Sequence, residues 1–177
     1  MKNAFVIGLL FLTLTVSGQK FASEKSTVIF FSKAAIEDIT AKNSKASSIF
    51  NSETGEIVFS VPIKDFRFAK SLMQEHFNEK YMESEKYPKA TFQGKFVDFN
   101  AQVNGIQEVK AQGKLSIHGV MKEIDVPGTI ENAGKNLIMK SKFIIRLEDY
   151  TITRPQLLWQ NIAEQVEVTI EFIYKPM

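Results

Sequence analysis

The sequence contains no cysteine in 177 residues, and its only histidines are His76 and His118. Without cysteine the chain can form no disulfide, no thiolate nucleophile and no cysteine-linked lipid anchor, so packing alone must hold the fold together. The two histidines are distant in sequence and belong to no His-x-His or His-Glu-x-x-His motif. This pattern disfavours a histidine-based metal or catalytic site, and we predict no metal and no cofactor.

Motifs of the common enzyme classes are also missing. The sequence has neither a Gly-x-Ser-x-Gly nucleophile motif nor a glycine-rich phosphate loop. Acidic pairs such as Glu37-Asp38 and Glu148-Asp149 fall at strand ends or turns, where a solvated surface explains them. Lys and Arg number 22 against 20 Asp and Glu, so the net charge of +2 offers no basic face to nucleic acid. The sequence therefore predicts no catalytic residues and no nucleic-acid partner.

Only one long apolar run occurs, and it lies at the N-terminus. Lys2 precedes an almost wholly apolar stretch over residues 4–16, and the small residues Ser17 and Gly18 follow it. This stretch has the length of a signal-peptide core and is short for a membrane span. We predict a signal peptide over residues 1–18, cleavage near Gln19, and a periplasmic or secreted mature protein over residues 19–177.

The mature sequence is rich in phenylalanine, with 15 in the chain, and in segments that alternate apolar and polar residues. Alternation with period two is typical of strands that bury one face. Turn signals such as Asn104-Gly105 separate many of these segments. Seven clear strands are predicted, at residues 27–31, 56–63, 90–99, 106–118, 120–130, 137–147 and 165–174. Weaker signals at residues 36–42 and 44–50 bring the number to about eight, or to one more if both count.

One helix interrupts the strands. Its pattern covers residues 71–81, between a strand that ends at Ile63 and one that begins at Ala90, and the Tyr87-Pro88 step disfavours further helix. The fold class is therefore all-β, an eight-stranded antiparallel barrel with one helix inserted mid-chain, although a sandwich fits the same pattern. An irregular connection with Pro155 and Trp159 is expected to pack on the barrel rim.

The inward faces of the strands predict an apolar interior that is either a cavity or a packed core. Gly94 and Gly113 interrupt this face, and the space beside them could be open or filled by phenylalanine rings. The helix is expected to close one barrel end. The residues predicted to line the interior or its lid are Phe59, Leu72, Met73, Phe77, Tyr81, Phe92, Phe96, Leu115, Ile117, Ile124, Phe143 and Ile145.

Three stretches resemble the YceI-like family of exported bacterial proteins. Tyr87-Pro88-Lys89-Ala90-Thr91-Phe92 is similar to the family's Tyr-Pro-x-hydrophobic-x-Phe signature. The stretch at residues 113–120, GKLSIHGV, is similar to its Gly-x-Leu-Thr-Ile-His-Gly-Val, and residues 166–172 match its closing strand. The resemblance implies a lipocalin-like barrel over residues 19–177 that binds an isoprenoid or similar amphiphilic lipid without catalysis.

The chain also departs from the family pattern. Better-known members carry Arg-Asp ahead of the helix and then His, where this chain has Phe68-Ala-Lys-Ser-Leu-Met73, and the region after Glu148 lacks their Arg-x-x-Phe-Gly. Ligand identity therefore does not transfer with the fold. The sequence predicts a lipid carrier with an amphiphilic lipid as its partner, and transient membrane contact and a homodimer are compatible with it. The alternative is a packed, ligand-free barrel that serves as an interaction scaffold for envelope proteins.

Overall fold

The computed structural model describes residues 19–33, 37–153 and 163–177. The predicted signal peptide and the predicted rim connection at Pro155 and Trp159 lie outside the described residues. Within the described residues there are ten β-strands: β1 Lys20–Ser32, β2 Ile39–Asn43, β3 Ser47–Asn51, β4 Glu56–Pro62, β5 Arg67–Phe68, β6 Lys89–Val97, β7 Gly105–Ile117, β8 Val120–Ala133, β9 Asn136–Arg146 and β10 Gln165–Pro176.

Eight of the described strands close into an antiparallel barrel. The order around it is β1, β3, β4, β6, β7, β8, β9 and β10, and β10 pairs back onto β1. The other two strands are additions, because β2 pairs with the second half of β1 and β5 pairs with β2. The predicted all-β, eight-stranded barrel with a mid-chain helix is confirmed, and the two weak strand signals correspond to β2 and β3.

The helix lies at one end of the barrel, here called the helix end. It comprises α1, Ser71–His76, and a continuing π-helical turn, Phe77–Tyr81. Phe77 and Tyr81 are buried and Met73 is half-buried, so the inward face follows the spacing of four residues. Leu72 is rotated about 100° from Met73 around the helix axis and is 59% exposed. The predicted inward position of Leu72 is therefore wrong.

Four phenylalanines close the helix end. Phe77 stacks on Phe30 with 5.3 Å between ring centroids, and Phe66 and Phe68 contact both of these rings at 5.0–5.6 Å. Packed ring pairs stabilise a core beyond the area they bury. This helix-end cluster holds the helix against the barrel, because Phe77 is its contribution from the helix.

A second aromatic cluster closes the far end of the barrel. Phe50 is fully buried and lies edge-on to Phe96 and Phe99, with centroid separations of 5.5 and 5.2 Å. Phe21 and Tyr174 also contact the Phe50 ring, with longer centroid separations of 6.3 and 6.5 Å. This far-end cluster and the helix-end cluster together use more than half of the phenylalanines, so the abundance of phenylalanine is explained largely by the two closed ends.

The tight turn between β7 and β8 is fixed by a side chain from the segment after the helix. His118 and Gly119 form the turn, both with positive φ, and the Tyr87 ring lies 4.5 Å from the His118 ring. A Cβ added to Gly119 would come within 2.5 Å of that tyrosine ring. The His118 side chain is only 8% exposed, and its Nδ1 lies 3.2 Å from the backbone oxygen of Tyr150. The contacts of His118 with Tyr87 and Tyr150 therefore hold this turn in place.

Candidate functional site

Two apolar cavities lie inside the barrel. The larger, of about 110 Å³, lies below the helix-end cluster. Among its described lining residues, only Tyr81 carries a polar side-chain atom. An isolated polar group is costly to bury in such walls, whereas hydrocarbon is not. The lining is Val28, Phe30, Phe59, Val61, Ile63, Phe66, Phe77, Tyr81, Met82, Ala90, Leu115, Ile117, Phe143, Ile145, Leu147, Ile152, Val166, Val168 and Ile170.

The smaller cavity has a volume of about 50 Å³ and extends toward the far-end cluster. Its walls are the inward residues of β4 and β6 to β10. They are Ile57, Phe59, Phe92, Phe96, Ala111, Ile124, Val126, Met139, Phe143, Ile170, Phe172 and Tyr174, together with residues 127–129, 140 and 141.

Three side chains divide the two cavities. Phe59, Phe143 and Ile170 contribute to the walls of both. Phe59 is held by Phe92, on which its ring stacks at 5.0 Å, and by the Phe172 ring at 6.1 Å. A hydrocarbon chain that occupied both cavities would therefore have to pass these three residues, which we call the divider.

The glycines of β6 and β7 do not leave space for a ligand. Gly94 and Gly113 are direct cross-strand partners, and a Cβ on Gly94 would lie 2.3 Å from the backbone oxygen of Gln112. The same Cβ would lie 2.6 Å from the Phe92 ring, so that ring covers the glycine. Of the two alternatives left by the sequence, filling by phenylalanine is the one observed at Gly94.

The barrel wall is open along one seam. β8 and β9 pair only from Gly128–Ser141 to Ala133–Asn136. Beyond that point β8 pairs with β7 alone and β9 with β10 alone, within the described part of the chain. The inward side chains Ile124, Phe143 and Ile145 are only half-buried there. We call the gap between residues 122–127 and 142–146 the β8–β9 slit.

Pro127 explains where the β8–β9 slit begins. The Ser141 hydroxyl donates to the Pro127 carbonyl across 2.7 Å, so that carbonyl faces β9. The nitrogen of a strand residue faces the same neighbour as its carbonyl, and proline has no hydrogen there to donate. The ladder therefore ends at the residue that lacks a donor toward β9.

An ion pair spans the other end of the slit. Lys122 on β8 lies 3.3 Å from the Asp149 carboxylate in the turn Glu148–Tyr150, which follows β9. Both side chains are nearly half exposed, so water screens the pair and it contributes little to stability. The slit is thus bounded by a hydrogen-bonded ladder at one end and a weak ion pair at the other.

Ten of the twelve residues predicted from sequence line the two cavities. Phe77, Tyr81, Leu115, Ile117 and Ile145 face the larger cavity, and Phe92, Phe96 and Ile124 face the smaller one. Phe59 and Phe143 face both. Met73 packs on the core without lining either cavity, and Leu72 is exposed on the outside of the helix.

Sequence reasoning missed several lining residues. Val28 and Phe30 alternate in the first strand and could have been placed inside by the same period-two argument. Phe66 and Ile152 lie in short irregular segments that have no periodic signal. Their contribution depends on tertiary contacts that local pattern does not encode.

Titratable groups near the cavities are few. Burial raises the pKa of Tyr174 well above its ordinary value, and a hydrogen bond with Ser48 opposes this shift. The tyrosine hydroxyl donates to the Ser48 oxygen at 2.6 Å, and Ser48 donates to the Val58 carbonyl at 2.8 Å. The buried hydroxyl is therefore satisfied and neutral, which suits a structural role.

The described residues contain no group of three or more His, Asp or Glu side chains placed to hold a metal ion. In the same part of the chain, no helix combines the length and the apolar character needed to cross a bilayer.

The barrel and its cavities define a class of protein, the closed antiparallel barrels with an apolar interior. A barrel of eight strands is wide enough to enclose packed side chains or one small ligand. The chain belongs to the YceI-like domain family, whose model matches residues 19–174. The resemblance predicted from three sequence stretches is confirmed.

Solved structures share this fold. A polyisoprenoid binding domain from Saccharophagus degradans, implicated in plant cell wall breakdown, is 17% identical with a TM-score of 0.78, covering 89% of this chain and 98% of its own. BcnA from Burkholderia cenocepacia is 18% identical with a TM-score of 0.71, over 84% and 95%. The YCEI protein of Campylobacter jejuni is 16% identical with a TM-score of 0.58, over 100% and 99%. A comparison with curated protein sequences found no match.

Proposed function

We propose that the protein is an exported, non-catalytic carrier that binds the apolar chain of an isoprenoid or similar amphiphilic lipid inside the barrel. The observation that carries the proposal is the lining of the larger cavity, which offers hydrocarbon surface on all sides. A structural relative described as a polyisoprenoid binding domain supports the same ligand class.

The energetics favour a chain over a polar ligand. Each buried methylene contributes about 0.8 kcal/mol, so a few of them give useful affinity without hydrogen bonds. A cavity of about 110 Å³ holds roughly four water-sized groups. A longer chain requires the divider to move, and a polar head group remains outside the barrel because the walls cannot satisfy it.

Export and domain limits form part of the proposal. The apolar run of residues 4–16 supports a signal peptide over residues 1–18 and a mature domain over residues 19–177 in the periplasm or medium. Mass measurement of the mature protein tests the cleavage site near Gln19. Exchange of lipid with a bilayer requires at least transient membrane contact, and light scattering tests for a homodimer.

The direct test is lipid extraction and mass spectrometry on protein purified from its native compartment. We expect an amphiphile with a long hydrocarbon chain to co-purify. The matched control is Leu115→Phe, which reduces the larger cavity and should carry less of the same lipid. Reproducible absence of any amphiphile from the wild-type protein would refute the proposal.

A second candidate function is a packed scaffold that binds another envelope protein. Ile49 and Val58 support it, because they are direct cross-strand partners on the outer face and are 46% and 42% exposed. Capture of a defined partner from envelope extracts, lost in an Ile49→Ser and Val58→Ser double variant, would favour the scaffold. Equal capture by both proteins would argue against this surface.

A further inference from the structure

We propose that the lipid chain enters and leaves the barrel sideways, through the β8–β9 slit, and not through either barrel end. This inference rests on the proposed function, since it names the route to the same interior. Three independent observations carry it: the state of the two ends, the depth of the slit, and the side chains that face each other across it.

Both ends are closed by packed rings. At the helix end, Phe77 is surrounded by Phe30, Phe66 and Phe68 at centroid distances of 5.0–5.5 Å. Passage there would require several ring contacts to break together, at the position where the helix is attached. At the far end, the fully buried Phe50 occupies the corresponding place.

The slit reaches both cavities directly. Ile145 on its β9 edge lines the larger cavity, and Ile124 on its β8 edge lines the smaller one. Phe143, which belongs to the divider, lies on the same β9 edge. A chain that entered here would meet apolar side chains from the first contact and would reach the divider from its side.

The strands that flank the slit are also matched to close. Extending the Gly128–Ser141 register would place Ile124 beside Ile145 on the inner face. On the outer face it would place Glu123 beside Arg146. Opposite cross-strand charges and apolar pairs are the combinations that stabilise paired strands. The slit therefore has edges that can separate for a chain and come together behind it, with the exposed Lys122–Asp149 pair as the only described ion pair across it.

The test uses the absence of cysteine, which makes any introduced cysteine a unique site. Ile124→Cys with Ile145→Cys is bridged by a short bis-maleimide, which ties the edges of the slit together. Glu131→Cys with Ile138→Cys, an observed pair on the same two strands, receives the same bridge as the control. Uptake and release of N-phenyl-1-naphthylamine, a neutral apolar fluorophore, are followed by stopped-flow fluorescence, with geranylgeraniol as competitor.

We expect the slit bridge to slow both uptake and release at least tenfold and the control bridge to change them less than twofold. A slit-bridged protein that releases the probe at the unbridged rate would overturn the route while leaving the proposed function intact. If the unbridged wild type takes up neither the probe nor the competitor, the proposed function fails and the route fails with it.

A single-cysteine measurement covers the case in which the double variant folds poorly. Ile124→Cys should react with a maleimide in the folded protein, and saturating geranylgeraniol should slow that reaction at least fivefold. Ile130→Cys is the matched control, since Ile130 faces inward on the same strand in the paired region and is 0% exposed; it should not react. Equal reactivity of the two cysteines would contradict an opening at the slit.

Discussion

Replacing Leu115 by phenylalanine is expected to fill the larger cavity from within while leaving the barrel stable. Leu115 is 3% exposed and lines this cavity of about 110 Å³. The extra ring atoms would displace roughly two to three methylene-sized groups of a bound chain, each worth about 0.8 kcal/mol. Binding of an isoprenoid alcohol should therefore weaken by about 2 kcal/mol, which is roughly 30-fold in Kd.

The matched control is Ile130→Phe. Ile130 also faces inward but is fully buried and lines neither cavity, so the larger ring must overpack the core at a cost of about 1–3 kcal/mol. Calorimetric titration with geranylgeraniol and urea unfolding measure the two quantities separately. We expect Leu115→Phe to lose affinity with less than about 1 kcal/mol of stability, and Ile130→Phe to show the reverse. Equal destabilisation of both variants, with unchanged lipid binding, would show that the interior is a packed core.

Three further predictions concern the frame of the site. Burial raises the pKa of Tyr174 in the folded state, so this tyrosine ionises at lower pH in the unfolded chain than in the folded protein. Its ionisation therefore leaves the free energy of unfolding unchanged below about pH 10 and lowers it as the pH rises further. Tyr174→Phe should reduce that alkaline loss in urea unfolding at pH 9 and 11, and should cost about 1 kcal/mol at pH 7 through the lost hydrogen bond to Ser48. Gly119→Ala should lower the free energy of unfolding more than Gly105→Ala does. Both glycines have positive φ, but only the Cβ added at Gly119 meets a ring. Equal losses of stability in the two variants would exclude that contact. Pro127→Val restores a backbone donor toward β9 and should slow probe uptake several-fold. The free energy of unfolding should be nearly unchanged, because the new hydrogen bond and the lost rigidity of proline offset each other. Unchanged uptake would count against the view that the missing donor at Pro127 ends the pairing of β8 with β9.

Alternation along the strands was sufficient to predict the strands and most of the cavity lining, although the same pattern also fits a sandwich. Leu115 and Ile117 on β7, and Phe143 and Ile145 on β9, all face the interior as their period-two pattern indicates. This works because neighbouring side chains on a strand point to opposite faces, and only one face of a barrel strand is buried. Burial of one face is thus a local property that the sequence records directly.

The helix and the slit show where local pattern stops being informative. The apolar spacing of the helix does not show whether Leu72 or Met73 is the first residue to face the barrel. The contacts of Phe77 with the other rings of the helix-end cluster decide which face of the helix packs inward. The proline at position 127 is visible in the sequence, but it does not by itself predict an opening in the wall. Whether a missing donor opens the wall depends on which neighbour it faces, and that follows only from the register of three strands.

Closure of the barrel by β1 and β10 has a consequence for how the chain acquires its structure. The ladder runs from Phe21–Pro176 to Phe31–Glu167, so it joins segments separated by most of the chain. Contacts of such long sequence separation slow folding, because loop-closure entropy is lost before the contacts are gained. Until β10 is available, β1 and β9 are open edges that can pair with other chains. Variants that weaken β10 are therefore expected to aggregate during folding even when the rest of the barrel is unchanged.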